Sequence, residues 1–347
     1  MKAKKAPLLR CSKKSRPPTI APNVRAAAIL LWEEMGRLGS LTTHSSLPEW
    51  ITYHATITPS VKLQVLKISA RTLERIIKPK RVQRQRKHNN GTKRWKKPKT
   101  LVPLRPLGTQ MTEVGHVEVD TVAHCGDSMS GLFAWTINVT DILSGWTDTE
   151  TVMGKDSVEV CRGLRIIEKR SFFRWKSIYV DNGTEFINEK VVSWFTNVGD
   201  RRESIPICRC RPYRKNDQAH VEQKNWTHVR SLWGYMRISY KPALSGMNSF
   251  AQNLWLPIQN GFILQRKVVF KTRIGSKLIR TFDAPRTPLD RLLDRPNHEV
   301  SLETKERLIQ WKEGLNPFEL RKKLRKRAGV IFRLLDASKE KPAKLCA

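Results

Sequence analysis

Three acidic residues stand where their side chains could act together on a phosphate ester. Asp120 lies within an alternating stretch that predicts a β-strand, Asp181 follows a short apolar stretch, and Glu222 lies in a stretch that predicts a helix. A buried aspartate within a strand is costly unless a cation or hydrogen-bond donors compensate for its charge. Carboxylates without His or Cys partners favour Mg²⁺ or Mn²⁺. Two such ions suit phosphoryl transfer, because one orients the attacking oxygen and the other stabilises the leaving oxygen.

Each of these acids also has an ordinary interpretation. Asp120 could be a solvated residue near a turn, and Glu222 could be an exposed acid on a helix. Asp181 precedes an Asn-Gly pair, and all three of these residue types favour turns. The carboxylates that compete with the three for a role are Glu118, Asp127 and Asp217. Spacing alone therefore leaves the assignment of the triad open.

The elements around the acids predict a mixed α/β sheet. The predicted strands are 116–123, 132–139, 145–152, 176–180 and 204–208, and the predicted helices are 155–170, 185–198 and 216–233. Three antiparallel strands followed by two strand–helix units give a single mixed sheet with flanking helices. In such a sheet the first and fourth strands can be neighbours, which would bring Asp120 and Asp181 close together.

The charge distribution indicates a polyanionic partner. The chain has 347 residues with 65 Lys and Arg against 31 Asp and Glu, a formal net charge of +34. Residues 1–110 are strongly basic and residues 111–270 are nearly balanced. Because each neutralised phosphate releases condensed counterions, we expect nucleic acid as the partner. A ribosome-associated or membrane-surface protein is the alternative that charge leaves open.

Membrane spans and structural zinc are not expected. The longest apolar run, 26–32, is far shorter than the roughly 20 residues that cross a bilayer. The six cysteines contain no CxxC pair, so the pattern typical of a structural zinc site is missing. The sequence therefore predicts a soluble protein of the cytoplasm.

The chain divides into five predicted regions. They are a basic disordered arm at 1–24, a helix-turn-helix-like DNA-binding region at 25–79, a basic linker at 80–111, a catalytic core at 112–270 and a basic C-terminal region at 271–347. In the second region Ser69 can cap a helix that Pro79 ends, with Leu73, Ile76 and Ile77 on one face. Any pair of surface helices can show this pattern, so DNA binding there is a hypothesis.

Basic and aromatic side chains in three segments are the predicted contacts with DNA. They are Arg71 and Arg75 on the basic helix, Lys93, Arg94, Lys96 and Lys97 in the linker, and Arg211, Tyr213, Arg214, Lys215, Lys224 and Arg230 around Glu222. The linker sequence has two interpretations, since its dense positive charge either follows a DNA backbone or serves as a solubilising tether.

The three acids lie in sequence blocks that resemble a known catalytic region. The blocks are His116-Val-Glu-Val-Asp120-Thr, Val180-Asp181-Asn-Gly-Thr-Glu-Phe186, Arg211-Pro-Tyr-Arg-Lys-Asn216 and His220-Val-Glu222-Gln-Lys-Asn225. They resemble the integrase catalytic core of the D-D-E recombinases, which is shared by retroviral-type integrases and bacterial insertion-sequence transposases. The similar stretch covers residues 112–235, and one group of insertion-sequence transposases resembles it most.

The resemblance implies a fold, a site and a reaction. The fold is ribonuclease-H-like, with a mixed five-stranded sheet and flanking helices, and Asp120, Asp181 and Glu222 are implied as ligands of two Mg²⁺ or Mn²⁺ ions. Nicking at the ends of an insertion sequence frees a 3′-hydroxyl, which then attacks target DNA. The implied partners are double-stranded DNA, as element ends and target, and at least one further copy of the chain, at the nucleoid in the bacterial cytoplasm. Two rivals are a decayed or domesticated transposase that only binds DNA, and a nuclease that cuts without joining.

Overall fold

Five strands form one mixed sheet. The computed structural model describes residues 20–81, 102–103, 111–181, 186, 189–196, 204–209 and 223–337. The strands are β1 (His116–Ala123), β2 (Ala134–Asp141), β3 (Thr147–Met153), β4 (Ser177–Val180) and β5 (Ile207–Arg209). Their order is β3-β2-β1-β4-β5, with β1 to β3 antiparallel and β4 and β5 parallel to β1. The predicted α/β fold, a ribonuclease-H-like mixed five-stranded sheet, is confirmed by this topology.

The central strand β1 is covered on both faces. Val117 and Val119 are fully buried on one face, as the alternating pattern requires, and Glu118 on the other face is buried as well. Helices pack against the sheet on either side, so the strand has no solvent face along this stretch. The strand begins and ends at the residues that the alternation predicts.

Helices come before, between and after the strands. They are α1 (Pro22–Glu34), α2 (Ser40–Trp50), α3 (Pro59–Leu66), α4 (Ala70–Ile77), α5 (Ser157–Arg170), α6 (Glu189–Thr196), α7 (223–233), α8 (243–261), α9 (Pro288–Leu293), α10 (Leu302–Glu313) and α11 (Pro317–Ala337). Two of them contain π-helical turns, at Asn225–Arg230 in α7 and at Ala251–Trp255 in α8. Among the described residues, no helix is long and apolar enough to cross a membrane.

The outer edge of β3, the end strand of the sheet, is covered by asparagine side chains. The Asn260 amide accepts a hydrogen bond from the Thr147 N–H at 3.1 Å and donates to the Thr147 carbonyl at 2.8 Å. Asn248 binds both backbone groups of Thr151 in the same way, at 2.8 and 3.0 Å. An open strand edge invites pairing with another chain, so these two side chains of α8 close the edge.

We expect the variant Asn260→Ala to lower the free energy of unfolding by about 2 kcal/mol, because the N–H and C=O of Thr147 are left buried without partners. Urea denaturation measures this loss. The control is Asn253→Ala in the same helix, where the exposed amide donates to Ser249 Oγ and the change is expected to stay within about 0.5 kcal/mol. Equal losses in the two variants would contradict the role given to Asn260.

The N-terminal and C-terminal helices share one hydrophobic core with α7 and α8. This core takes side chains from α1 to α4, from residues 229–263 and from α11. The sheet has its own core, to which α5, α6, α9 and α10 contribute. Regions that the sequence separates as 25–79 and 271–347 are therefore packed on the same two helices.

A buried arginine lies at the junction of α1, α2, α8 and α11. The Arg321 guanidinium is 6.0 Å from the Trp50 ring centroid and 5.1 Å from that of Trp255. Burial, together with the charge of Arg325, lowers the pKa of Arg321 to about 9. Gly36 lies directly against this group, since a Cβ there would approach the guanidinium carbon to 2.7 Å. Substitution of Gly36 would therefore displace the Arg321 guanidinium, and the φ of +93° at Gly36 would strain any other residue there.

The predicted pair of helices in region 25–79 is present as α3 and α4. Ser69 Oγ accepts a hydrogen bond from the Thr72 N–H at 3.2 Å, as expected of the cap, and the helix ends at Ile77 before Pro79. The predicted apolar face of α4 is buried, while Arg71 and Arg75 are exposed. DNA binding by this exposed basic face stays a prediction.

Beyond α8 a second, two-stranded sheet precedes the last helices. The strands β6 (Val268–Ile274) and β7 (Lys277–Phe282) form an antiparallel hairpin. The sequence indicates basic strands here and basic helices at 301–313 and 317–335, and these elements are present. The short helix α9 is not predicted; a capping box between Thr287 and Asp290 begins it.

Candidate functional site

The sheet places two of the three predicted acids on adjacent parallel strands. The register pairs Val119 of β1 with Val180 of β4, and the next position sets Asp120 level with Asp181. Adjacent strands lie about 4.8 Å apart, and residues in register project to the same face of the sheet. Asp120 lies within β1, and Asp181 directly follows β4, with both residues partly exposed. The prediction that the first and fourth strands are neighbours is confirmed.

Asn225 of α7 connects Asp120 to the neighbouring strand β2. Its side-chain nitrogen donates to Asp120 Oδ2 at 2.6 Å, and its Oδ1 accepts from the Asn138 side chain at 2.9 Å. Asn138 is itself the partner of Asp120 in the antiparallel register of β1 and β2. The three side chains form a continuous series of hydrogen bonds that fixes α7 over the acid.

The described part of α7 contains a segment that is wider than an ordinary α-helix. Asn225 begins the π-helical segment, a form that is uncommon and frequent at functional sites. The segment continues through His228 and Val229, whose side chains are buried. Burial lowers the pKa of His228 well below its usual range, so its imidazole is neutral at pH 7.

Several predicted site residues lie outside the described residues. They are Glu222, Arg211, Tyr213, Arg214, Lys215, Lys93, Arg94, Lys96 and Lys97. In the parts of the chain that are described, no group of three or more His, Cys, Asp or Glu side chains could hold a metal ion. The structure thus describes two members of the predicted triad.

The described donors fit a hard divalent cation. Carboxylate oxygens are the ligands that Mg²⁺ and Mn²⁺ prefer, and here one acid lies in β1 while the other directly follows the adjacent strand β4. Asp120 accepts hydrogen bonds from the Thr121 N–H at 2.7 Å and from Asn225. A carboxylate offers about four lone-pair positions, so these bonds orient the group and are compatible with coordination.

Lys224, predicted to contact DNA, is buried. Its amino group donates to Gln265 Oε1 at 2.6 Å, and the residue is 7% exposed. Burial, reinforced by the nearby charges of Lys267 and Arg291, lowers its pKa to about 7. The prediction that Lys224 binds a phosphate is therefore wrong, because its amine faces the protein and joins α7 to residue 265.

The pH dependence of stability tests the burial of Lys224. Its folded-state pKa of about 7 lies below the usual value of 10.5, so the unfolded chain binds more protons between these values and stability rises with pH in that window. We expect the wild type to gain on the order of 3 kcal/mol relative to Lys224→Met between pH 7 and pH 10. Urea denaturation across this range measures the gain.

The control for this series is Lys241→Met, which changes an exposed lysine. Its difference from the wild type is expected to be the same at each pH. A Lys224→Met difference that is equally flat would contradict a buried amine.

Arg230 is half-buried on the same helix. Its guanidinium lies 4.6 Å from the Tyr235 ring centroid and donates to the Gly234 carbonyl at 3.2 Å. Complete burial of His124, together with the nearby charge of Arg230, lowers the pKa of that histidine to about 3. DNA contact by Arg230 stays a prediction.

Sequence reasoning did not single out Asn138 as a site residue. The only signal at that position is a polar amide between Ile137 and Val139 in a buried strand. Asn138 Oδ1 is buried and has no hydrogen-bond partner among the described residues. A buried amide oxygen without a partner is costly, while the nitrogen of the same amide donates to Asn225.

Comparison with solved structures finds retroviral integrase cores. The catalytic core domain of BIV integrase is 15% identical, with a TM-score of 0.33, over 56% of this chain and 99% of that chain. The HTLV-2 integrase catalytic core domain in complex with magnesium, in its dimeric form, is 15% identical, with a TM-score of 0.32, over 44% of this chain and 92% of that chain. No protein-family model matches the sequence.

A curated relative matches most of the chain. The "Uncharacterized protein y4rM" of Sinorhizobium fredii is 34% identical over 281 residues, which cover 78% of this chain and 77% of the relative. The chain therefore belongs to the same family as y4rM.

Proposed function

We propose that the protein is a metal-dependent DNA transposase of an insertion sequence, which cuts at the ends of the element and joins the freed 3′-hydroxyl to target DNA. The observation that carries this proposal is Asp120 level with Asp181 on adjacent parallel strands, with Asn225 bonded to Asp120 from α7. The predicted helix 216–233 sets Glu222 one turn before Asn225, on the same face.

In this proposal Asp120, Asp181 and Glu222 hold Mg²⁺ or Mn²⁺. The bound ions supply activation of the attacking oxygen and stabilisation of the leaving oxygen. Asn225 holds the Asp120 carboxylate in one orientation, so the geometry of the site does not depend on a mobile side chain. Asn138 in turn fixes Asn225 from the rigid sheet.

The charge of the chain supports DNA as the substrate. A net charge of +34 favours binding to a polyanion, and Arg71 and Arg75 are exposed on the last helix of the α3–α4 pair. Element ends and target DNA are both double-stranded. Because two ends must be brought together, we propose that at least two copies of the chain act in one complex, at the nucleoid in the bacterial cytoplasm.

A strand-transfer assay tests the proposal. Purified protein is incubated in Mg²⁺ or Mn²⁺ with labelled DNA that carries the ends of the element and with a plasmid target, and Asp181→Asn is run in parallel. Joined products that vanish in the variant support a transposase. Cleavage without joining indicates a nuclease, and tight end binding with neither product indicates a decayed transposase that acts as a DNA-binding protein.

We expect Asn225→Ala to slow joining by about 10- to 100-fold, because Asp120 loses the bond that orients it. The Mg²⁺ concentration that gives half the maximal rate is expected to rise in the same variant. Titration of joining against Mg²⁺ measures both effects. The control is Ser231→Ala in the same helix, which removes a hydroxyl that donates to the Thr227 carbonyl. This substitution is expected to leave both the rate and the Mg²⁺ dependence unchanged. An unaltered Mg²⁺ dependence in Asn225→Ala would show that Asn225 does not position Asp120.

A further inference from the structure

The β6–β7 hairpin is exposed along its whole length. All 7 residues of β6 and all 6 residues of β7 are exposed, and neither strand contributes to the hydrophobic cores of the described residues. Phe270 and Ile274 are 62% and 65% exposed. A lone two-stranded hairpin is marginally stable in water, and a run of exposed apolar side chains marks an interaction surface.

The base of the hairpin is nevertheless held firmly. Asp283 N donates to the Lys267 carbonyl at 2.9 Å, and the Lys267 N–H donates to Asp283 Oδ1 at 2.6 Å. Arg291 binds the other oxygen of Asp283 at 2.5 Å. The Lys267 amino group donates to the Leu143 carbonyl at 2.6 Å and also to that of Ile142, in the turn between β2 and β3. The hairpin therefore projects from a fixed position on the sheet.

The two faces of the hairpin differ in charge. Lys271 pairs with Arg280 and Arg273 pairs with Leu278, so alternation sets all three cations on one face. We call this the basic face. The opposite face carries Phe270, Thr272, Ile274, Lys277, Ile279 and Thr281. Residues 268–282 contain no acid, and no described carboxylate forms an ion pair with the three cations.

The spacing on the basic face suits a row of phosphates. Along one strand Lys271 and Arg273 are about 6.7 Å apart, and Arg280 lies about 5 Å across from Lys271. The major groove of B-DNA is wide enough to admit a two-stranded ribbon, and the duplex carries about one charge per 1.7 Å of its axis. A second copy of the hairpin would bring the same positive charges opposite this face, which is unfavourable.

We propose that the basic face of the β6–β7 hairpin binds the phosphate backbone of double-stranded DNA. The choice of duplex DNA as the polyanion rests on the proposed function. The base of the hairpin connects to the candidate site, because Gln265 accepts a hydrogen bond from Lys224, the residue before Asn225. DNA bound by the hairpin is thus bound by a segment whose base is hydrogen-bonded to the helix that positions Asp120.

The test compares three variants of the full chain. The first replaces the basic-face cations (Lys271→Gln, Arg273→Gln, Arg280→Gln). The second removes the same charge from exposed positions of α11 (Lys322→Gln, Lys326→Gln, Arg333→Gln). The third changes the opposite face (Phe270→Thr, Ile279→Thr) and keeps the charge. Affinity for a short labelled duplex is measured by fluorescence anisotropy over a range of salt, without divalent ions.

We expect the first variant to reduce the slope of log affinity against log salt by about 2 to 3 and to weaken binding about tenfold or more, since each lost phosphate contact contributes about 0.9 to the slope. The other two variants are expected to keep the wild-type slope to within about one unit. All three should unfold at the wild-type temperature, because none of these side chains lies in a core.

Besides an unchanged slope in the first variant, two outcomes would overturn the proposal. One is an equal fall in slope in the first and second variants, which would assign the effect to overall charge. The other is loss of affinity in the third variant together with a change from dimer to monomer in sedimentation, which would make the hairpin an interface between copies of the chain. The binding assay uses no divalent ion and measures no reaction product, so it is independent of the proposed joining activity. A fall in slope limited to the first variant therefore supports DNA binding by the hairpin even if joining fails. Joining activity with an unchanged slope refutes DNA binding by the hairpin and leaves the proposed function intact.

Discussion

Replacing Asp181 by asparagine is expected to reduce cutting and joining by about a thousandfold or more, while affinity for DNA without divalent ions stays nearly unchanged. Asparagine has the same size but no charge, so the site loses one of its hard ligands and keeps its shape. Charge stabilisation by a bound cation contributes several kcal/mol to a transition state, and each tenfold in rate corresponds to about 1.4 kcal/mol. Strand-transfer products and anisotropy measure the two quantities on the same preparation.

Asp181 is a cleaner target than Asp120. The Asp120 carboxylate also accepts from Asn225 and from the Thr121 N–H, so its substitution changes the packing of α7 as well as the charge. The matched control is Asp127→Asn, which neutralises an exposed acid in the loop after β1 and is expected to retain full activity. Wild-type cutting by Asp181→Asn would refute the assignment of the site.

The position of the two acids follows from local sequence patterns. The alternating pattern over 116–123 predicts β1, and the apolar stretch that stops at Asp181 predicts the end of β4. Once both stretches are strands of one mixed sheet, parallel pairing sets their acids side by side. These steps need only the period of the side chains and the rules of strand connection, so sequence reasoning reaches them.

The contacts that orient the acids do not follow from local patterns. Asn225 lies 105 residues from Asp120 and 87 from Asn138, and no period in the sequence encodes a side-chain hydrogen bond over such separations. Lys224 shows that a local pattern can also suggest the wrong environment for a side chain. A lysine in a basic stretch next to a proposed active site resembles a phosphate contact, and only the packing of residue 265 against α7 reveals that its amine points inward.

Helix α2 shows how tertiary packing overrides local preference. Its sequence is rich in Ser and Thr and contains Pro48, all poor helix formers, so no helix is predicted at 40–50. Leu47 and Trp50 nevertheless bury completely in the core shared with α8 and α11, and the Trp50 indole donates to the Phe262 carbonyl at 2.9 Å. The helix forms because distant residues cover it.

The largest loss of stability is expected from Arg170→Leu, at about 3 to 5 kcal/mol. Arg170, at the end of α5, donates to both oxygens of Asp148 at 2.9 and 3.1 Å and to Glu150 at 2.9 Å. Asp148 and Glu150 lie in β3 with side chains only 14% and 6% exposed. Without the arginine, two largely buried carboxylates lose their cationic partner, and the hydrogen bond from the Asn248 amide of α8 to Glu150 does not neutralise that charge.

The loss of stability in Arg170→Leu is also expected to depend on pH. Burial raises the pKa of Asp148 and of Glu150, and the charge of Arg170 opposes this rise. In Arg170→Leu the opposing charge is gone, so both pKa values rise further and the folded chain binds more protons than the unfolded chain from acidic to neutral pH. Stability of the variant therefore falls as pH rises, and its deficit relative to wild type is largest near pH 7 and shrinks toward pH 4.

Arg162→Leu is the matched control, because it removes an arginine of the same helix whose pair with Glu159 is on the surface, with 47% and 26% of the two side chains exposed. Surface pairs contribute less than about 1 kcal/mol, so its loss is expected to be small. The charge of Arg162 also lowers the pKa of Glu150, but as the weakest of the causes, so the loss is expected to change less with pH than that of Arg170→Leu. Adding Asp148→Asn and Glu150→Gln to Arg170→Leu should recover part of the loss at pH 7, since no buried charge is then left unpaired. A deficit in Arg170→Leu that does not change with pH would mean that lost packing, and not the two buried carboxylates, is what destabilises the fold.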